Sequence, residues 1–162
     1  SRLNIASKNL LKEKDFIFLL SLMIIDDTDN ADYFLYKYNI SKKDQKRIRF
    51  IDNFYKEKSN LKTFSKNNMN KVFYYNGKEA VIDILNYKMI RSKKLDDSLK
   101  KLINCYDNSE TPIMPVSADF LMKKYEIPQG KQLGEKLRII EEEWVKNNFK
   151  ISDQEVHNII TN

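Results

Sequence analysis

The sequence predicts an all-α protein, an irregular bundle of about six helices followed by a three-helix C-terminal module. Three observations carry that expectation. Only 3 glycines and 3 prolines occur in 162 residues, too few to punctuate the turns of sandwiches, barrels or doubly wound sheets. Apolar residues recur at helical spacing from end to end. The chain is 41% hydrophobic and 12% aromatic beside 32% charged, which excludes disorder and low-complexity repeats and supplies enough apolar surface for a core.

The spacing predicts a first, nearly all-apolar helix over 9–25. Its apolar run, 16–25, is ten residues with Ser21 among them, half of the roughly 20 that a membrane span needs, so it reads as a buried helix and no membrane partner is expected. Asp26, Asp27, Thr28, Asp29 and Asn30 end it with side chains that compete for backbone hydrogen bonds. A short helix over 31–38 follows. Ser41 with Asp44 is a capping signal for a helix over 42–58. A polar connector is expected over 60–70, a short aromatic helix over 71–75 and a turn at Asn76 and Gly77. Ala80, Val81, Ile84, Leu85, Lys88 and Met89 fit one helix face, and Leu95, Leu99, Leu102 and Ile103 another.

Asn108, Ser109, Pro112 and Pro115 then change the texture and divide the chain into a body (1–106), a linker (107–116) and a tail (117–162). Ser117 caps a short helix ending near Tyr125. Beyond Ile127, Pro128, Gln129 and Gly130, the residues Leu133, Leu137, Ile140 and Trp144 form the clearest amphipathic stripe in the chain. Ser152 with Glu155 is a full capping box for a last helix carrying Val156, Ile159 and Ile160.

The net charge is +6, from 29 basic and 23 acidic residues, and it is unevenly spread. Residues 1–40 carry 5 basic and 6 acidic groups, 41–101 carry 17 and 7, and 102–162 carry 7 and 10. On the helix from Lys42, steps of about 100° put Lys42, Lys46, Arg49, Asn53 and Lys56 in one stripe opposite Ile48, Ile51 and Tyr55. Such a stripe can track RNA phosphates without reading bases; its plainer reading is a solvated lysine-rich face. Lys131, beside Gly130 at a helix start where free amides favour an anion, is a second candidate contact. There the plainer reading is a tight turn with close helix packing at Gly134.

Other reactive residues read blandly. Asp27 and Asp29 have the spacing of a metal-binding pair but follow a helix rather than a strand, so they read as loop residues. His157 has no nucleophile at a catalytic spacing and is assigned to the surface or an interface. Cys105 lacks a histidine partner and is expected to be a buried small hydrophobe, and Glu141, Glu142 and Glu143 a solvated face. One cysteine cannot form an internal disulfide, which points to a reducing, cytoplasmic setting. No catalytic or metal-ligating residue is assigned. With Ser1 in first place and no signal-peptide pattern after it, the chain reads as a piece of a longer protein.

The tail carries a resemblance. Pro115-Val116-Ser117-Ala118-Asp119-Phe120-Leu121, then Ile127-Pro128-Gln129-Gly130-Lys131-Gln132-Leu133-Gly134, then Leu137, Glu142, Trp144 and Asn147-Asn148-Phe149 resemble the C-terminal signature of bacterial-type (class II) CCA-adding tRNA nucleotidyltransferases and their poly(A) polymerase relatives. Ile40-Ser41-Lys42-Lys43-Asp44-Gln45-Lys46-Arg47-Ile48 resembles a segment of that family's body. Ala118 departs from the pattern, since relatives usually carry Gly there. The resemblance implies that this chain is a body and tail holding tRNA or another RNA. It further implies an N-terminal catalytic head as partner, which would use Mg2+ with CTP or ATP and to which no stretch here corresponds. A helical protein-interaction module, with Tyr74, Tyr75 and Tyr87 partly at the interface, is the rival reading.

Overall fold

Helix α1 (Phe16–Ile24) begins where the Asp15 carboxylate accepts a hydrogen bond from the Phe18 amide at 3.1 Å. The computed structural model describes residues 11–57, 61–92 and 96–161, and every regular element among these is a helix, with no strand. The helix expected over 9–25 is therefore interrupted: residues 12–14 turn, and Asp15 restarts the helix because its side chain satisfies an otherwise orphaned amide. Residues 9 and 10 lie outside the described residues. After Ile25, Asp26 accepts from both the amide and the hydroxyl of Thr28, the latter at 2.6 Å. Asp27 sits at φ 67°. These are the helix-ending contacts expected of that polar run.

Helix α2 (Asn30–Lys37) buries Ala31 and Leu35. Helix α3 (Lys42–Glu57) starts as its capping signal predicts: the Asp44 amide donates to Ser41 Oγ at 3.2 Å, and the Ser41 hydroxyl donates to the Asp44 carboxylate at 2.6 Å. Ile48 and Ile51 are fully enclosed.

Between α3 and the Asn76–Gly77 turn the structure corrects the sequence. In place of a polar connector and a short aromatic helix stand a 3-10 turn (Leu61–Phe64) and helix α4 (Lys66–Arg91), which Ser65 opens by accepting from the Asn68 amide at 3.4 Å. The reason is burial at helical spacing. Met69, Val72 and Phe73 all enter the core, and Asn70 is enclosed with them, so tertiary packing overrides the asparagines' preference for loops. The expected turn survives as a break inside α4, at Gly77 with φ 87° and ψ 174°. Helix α5 (Asp97–Asp107) is capped by Asp96, which accepts from the Ser98 amide at 2.9 Å, and packs along α4. Leu95, expected on its apolar face, lies outside the described residues. Cys105 is exposed rather than buried; its neighbour Tyr106 takes the inward position.

In the tail, α6 (Ala118–Tyr125), α7 (Lys131–Lys146) and α8 (Asp153–Thr161) surround a cluster of their own around Leu121, Leu133, Ile140 and Val156. Ser117 caps α6 at 3.1 Å, and Ser152 with Glu155 forms the expected reciprocal box. Gly134 is not a close-packing site, since a Cβ there would meet nothing within 4 Å.

The tail seats on α4. Trp144 meets the Tyr74 ring edge-on at 5.3 Å, and Phe149 lies 5.1 Å from Trp144 and reaches the body's core cluster. Asn148 and Phe149, at φ 56° and 63°, turn the chain back toward the body. There Asn148 accepts from the Asn70 amide at 2.9 Å. Glu141 is accordingly more than a solvated group: it accepts the Tyr74 hydroxyl at 2.7 Å. Burial and that carboxylate push the Tyr74 phenol up to about 12.

Candidate nucleic-acid interface

Helices α3 and α4 run side by side and leave a groove between them. It encloses about 640 Å³ and is lined on the α3 side by Lys42, Lys43, Lys46, Phe50 and Asn53 and on the α4 side by Tyr75, Asn76, Glu79 and Asp83. A second cavity of about 340 Å³ shares Phe50, Asn53, Tyr75 and Asn76 with it and adds Lys71, so the two adjoin and together make up the channel along α3 and α4.

Arg47, which lines the first cavity, is the centre of an ion cluster. Arg47 Nε lies 2.7 Å from Asp83 and its Nη2 2.8 Å from Asp15, with Glu79 at 3.4 Å. One guanidinium thus faces three carboxylates, and its own pKa is raised by the hydrogen bond to Asp83, against the opposing effect of burial. The two principal acids respond in opposite directions. Burial is the largest influence on both and raises each pKa; in Asp83, only 7% exposed, it outweighs Arg47, and the neighbouring Glu79 and Asp15 add to the rise. In Asp15, 53% exposed, the Arg47 bonds and the Phe18 amide prevail and lower it.

The sequence-predicted contacts divide accordingly. Lys42 and Lys46 are exposed on the groove's rim with Lys43, and none of the three has an ion-pair partner among the described residues. Arg49 also lines the groove but is paired with Asp32. Lys56, farther along α3, lies 2.9 Å from the buried Asp52 and 4.0 Å from Asp29, so its charge is held locally and its pKa is raised, first by the Asp52 bond. Lys131 is 92% exposed in the tail, 3.8 Å from Glu135, and does not line the groove. The cationic stripe of the helical wheel therefore narrows to its first turn and a half.

Two further residues belong to the groove. Tyr75 is 52% exposed with its ring edge-on to Tyr74 at 5.0 Å, and Asn76 is exposed beside it. The aromatic run 71–75 was visible in the sequence, but which tyrosine faces outward depends on the break at Gly77 and on Trp144 occupying Tyr74. Tyr87 is buried and donates to the Ile25 carbonyl at 3.1 Å, so it is unavailable to a partner.

Among the described residues no three His, Cys, Asp or Glu side chains gather as a metal-ligand set. His157 lies exposed, its ring 6.0 Å from Tyr125. No helix among the described residues is long and apolar enough to cross a membrane. No protein-family model, curated protein or solved structure matches this chain.

Proposed function

We propose that this chain holds RNA in the α3–α4 groove, as the body and tail of a nucleotidyltransferase that extends RNA 3′ ends by CCA addition or poly(A) synthesis. The carrying observation is three lysines, Lys42, Lys43 and Lys46, without carboxylate partners among the described residues, on the rim of a groove that also exposes Tyr75. Lysines without carboxylate partners are free to exchange their counterions for phosphates, whereas Arg49 and Lys56 would first have to leave theirs. The parent activity rests on the tail's resemblance. In that reading Ser117, Leu121, Leu133, Trp144, Asn148 and Phe149 cap, fill and seat the tail rather than touch RNA. They set where the bound RNA end points, toward a catalytic head that supplies Mg2+ and CTP or ATP chemistry.

The test is tRNA binding measured across a salt series. Reversing Lys42, Lys43 and Lys46 to Glu together should flatten log K against log salt by about 0.7–0.9 for each phosphate that the variant no longer neutralises. Arg49→Gln should change affinity by no more than about twofold, since its charge is already committed to Asp32. Salt-independent binding, or binding indifferent to the triple reversal, sinks the reading.

One observation favours the protein-interaction alternative. Phe16, Met23, Tyr33 and Tyr36, on the neighbouring helices α1 and α2, are 61–89% exposed, and large apolar side chains left in water are what a protein interface buries. A stoichiometric protein complex abolished by Met23→Glu and Tyr36→Glu, with no RNA bound at any salt, would decide for it.

A further inference from the structure

We propose that the α3–α4 groove takes unpaired RNA, with one base stacked on Tyr75 and the flanking phosphates on Lys46 and Lys42 at one end and Lys71 at the other. This rests on the RNA-binding reading above and adds the strandedness of the RNA.

The distribution of charge along the channel argues for it. Arg47 is the least exposed cation of the first cavity, but its guanidinium is committed to Asp15, Glu79 and Asp83, so its charge is already neutralised and attracts a phosphate little. The ammonium groups of Lys42, Lys43 and Lys46, without ion-pair partners among the described residues, stand on the rim. A nucleotide therefore enters base first and leaves its phosphates outside.

Inside, the groove offers what a base face needs. Tyr75 presents an exposed ring propped at its edge by Tyr74, and Phe50, half buried, lines the α3 side of the same groove. Asn53 and Asn76 add exposed amides that make no hydrogen bond among the described residues. Each amide is both donor and acceptor, so the pair can adapt to the edge of any base.

A duplex cannot use these groups. A-form RNA keeps its base faces stacked and shows proteins a shallow minor groove and its backbone, and duplex-reading domains span roughly 16 base pairs. The channel runs along α3 from Lys42 to Glu57, about 22 Å at 1.5 Å per helical residue. That length suits a few splayed nucleotides. Lys71, exposed and without an ion-pair partner among the described residues, lines the far cavity of the same channel, where Glu57 is the one carboxylate among the lining residues described. Cations at both ends and a ring between them form the usual arrangement for single-strand binding.

The experiment uses the whole 162-residue chain with two probes compared at equal total phosphate concentration, a single-stranded hexaribonucleotide and a blunt RNA hairpin closed by a compact tetraloop. The hexamer should bind more tightly. Tyr75→Ala should weaken hexamer binding about 5- to 100-fold, Tyr75→Phe should leave it unchanged, and neither should alter hairpin binding. Lys71→Glu should weaken the hexamer and flatten its salt dependence. Because Tyr75→Ala could disturb Tyr74, the wild-type chain provides an independent readout: the Tyr75 ring resonances, assigned by their loss in Tyr75→Phe, should move upfield when the hexamer is added. Equal affinity for the two probes with an unmoved Tyr75 ring overturns this inference and leaves phosphate tracking by Lys42, Lys43 and Lys46 intact. Failure of both probes and of tRNA to bind overturns the RNA reading as well.

Discussion

Arg47 shows how far a single residue's role departs from its place on a helical wheel. From the sequence it flanks the cationic stripe. In the fold it is 16% exposed and bonded to Asp83, 36 residues away, and to Asp15, 32 residues away. Nothing local in the sequence marks those partners, and the same holds for Arg49 with Asp32; side-chain periodicity predicts a face, while ion pairing depends on which helix arrives against it. Removing Arg47 leaves the buried Asp83 without its counter-ion. Arg47→Ala should therefore cost roughly 2–4 kcal/mol near neutral pH, with the more exposed Asp15 and Glu79 contributing little. The loss should depend on pH. Asp83 already has a raised pKa, and without Arg47 it rises further. A carboxyl whose folded pKa exceeds its unfolded value favours folding below the ordinary carboxylate range, and that contribution disappears as pH rises through the folded pKa. The deficit of Arg47→Ala relative to wild type should thus be smaller at about pH 5 than at about pH 8 in urea unfolding. An equal deficit at both would mean that Asp83 does not feel Arg47.

At the scale of elements, three helix starts were legible from their capping side chains: Ser41 with Asp44, Ser117, and Ser152 with Glu155 act as their spacing indicates, whereas the caps Asp15, Ser65 and Asp96 were not read in the sequence. The start of α4 was not legible, because Asn67, Asn68 and Asn70 are loop-forming residues taken into a helix by partners distant in sequence. Asn70 donates to Asn148 and accepts the Tyr106 hydroxyl at 2.7 Å. The glycines offer a matched test of local geometry. Both Gly77 and Gly134 have open space where a Cβ would go, so sterics against neighbours do not distinguish them. Their backbones do: Gly77 occupies φ 87°, ψ 174°, a region nearly closed to L-residues, whereas Gly134 sits within helix α7. Gly77→Ala should destabilise by about 1–3 kcal/mol, and Gly134→Ala should stabilise by about 0.5–1 kcal/mol through helix propensity. Denaturant midpoints measured on both variants check the pair. Stabilisation by Gly77→Ala would mean that α4 can straighten, which would also redirect Tyr75 and remove the groove's aromatic wall.

Across the whole molecule, the segment 70–76 of α4 faces two ways: Asn70 and Tyr74 hold the tail, and Lys71, Tyr75 and Asn76 line the channel. The all-helical character and the amphipathic stripe of α7 were readable because each repeats over many residues. The seating of the tail was not readable, because it depends on single residues at left-handed backbone positions, Asn148 and Phe149, that bring one ring into the body. The chain's only tryptophan, Trp144, is 2% exposed at that seat, so its fluorescence reports docking directly. Phe149→Ala removes a half-buried ring from the contact and should cost about 1–3 kcal/mol, less than a fully enclosed phenylalanine. Trp144 emission should shift to the red as water reaches the indole. The far-UV circular dichroism should stay constant, since α6, α7 and α8 retain their own apolar cluster. Parallel loss of helical signal would show instead that the tail folds only while seated, and that Leu121, Leu133, Ile140 and Val156 do not suffice as a core.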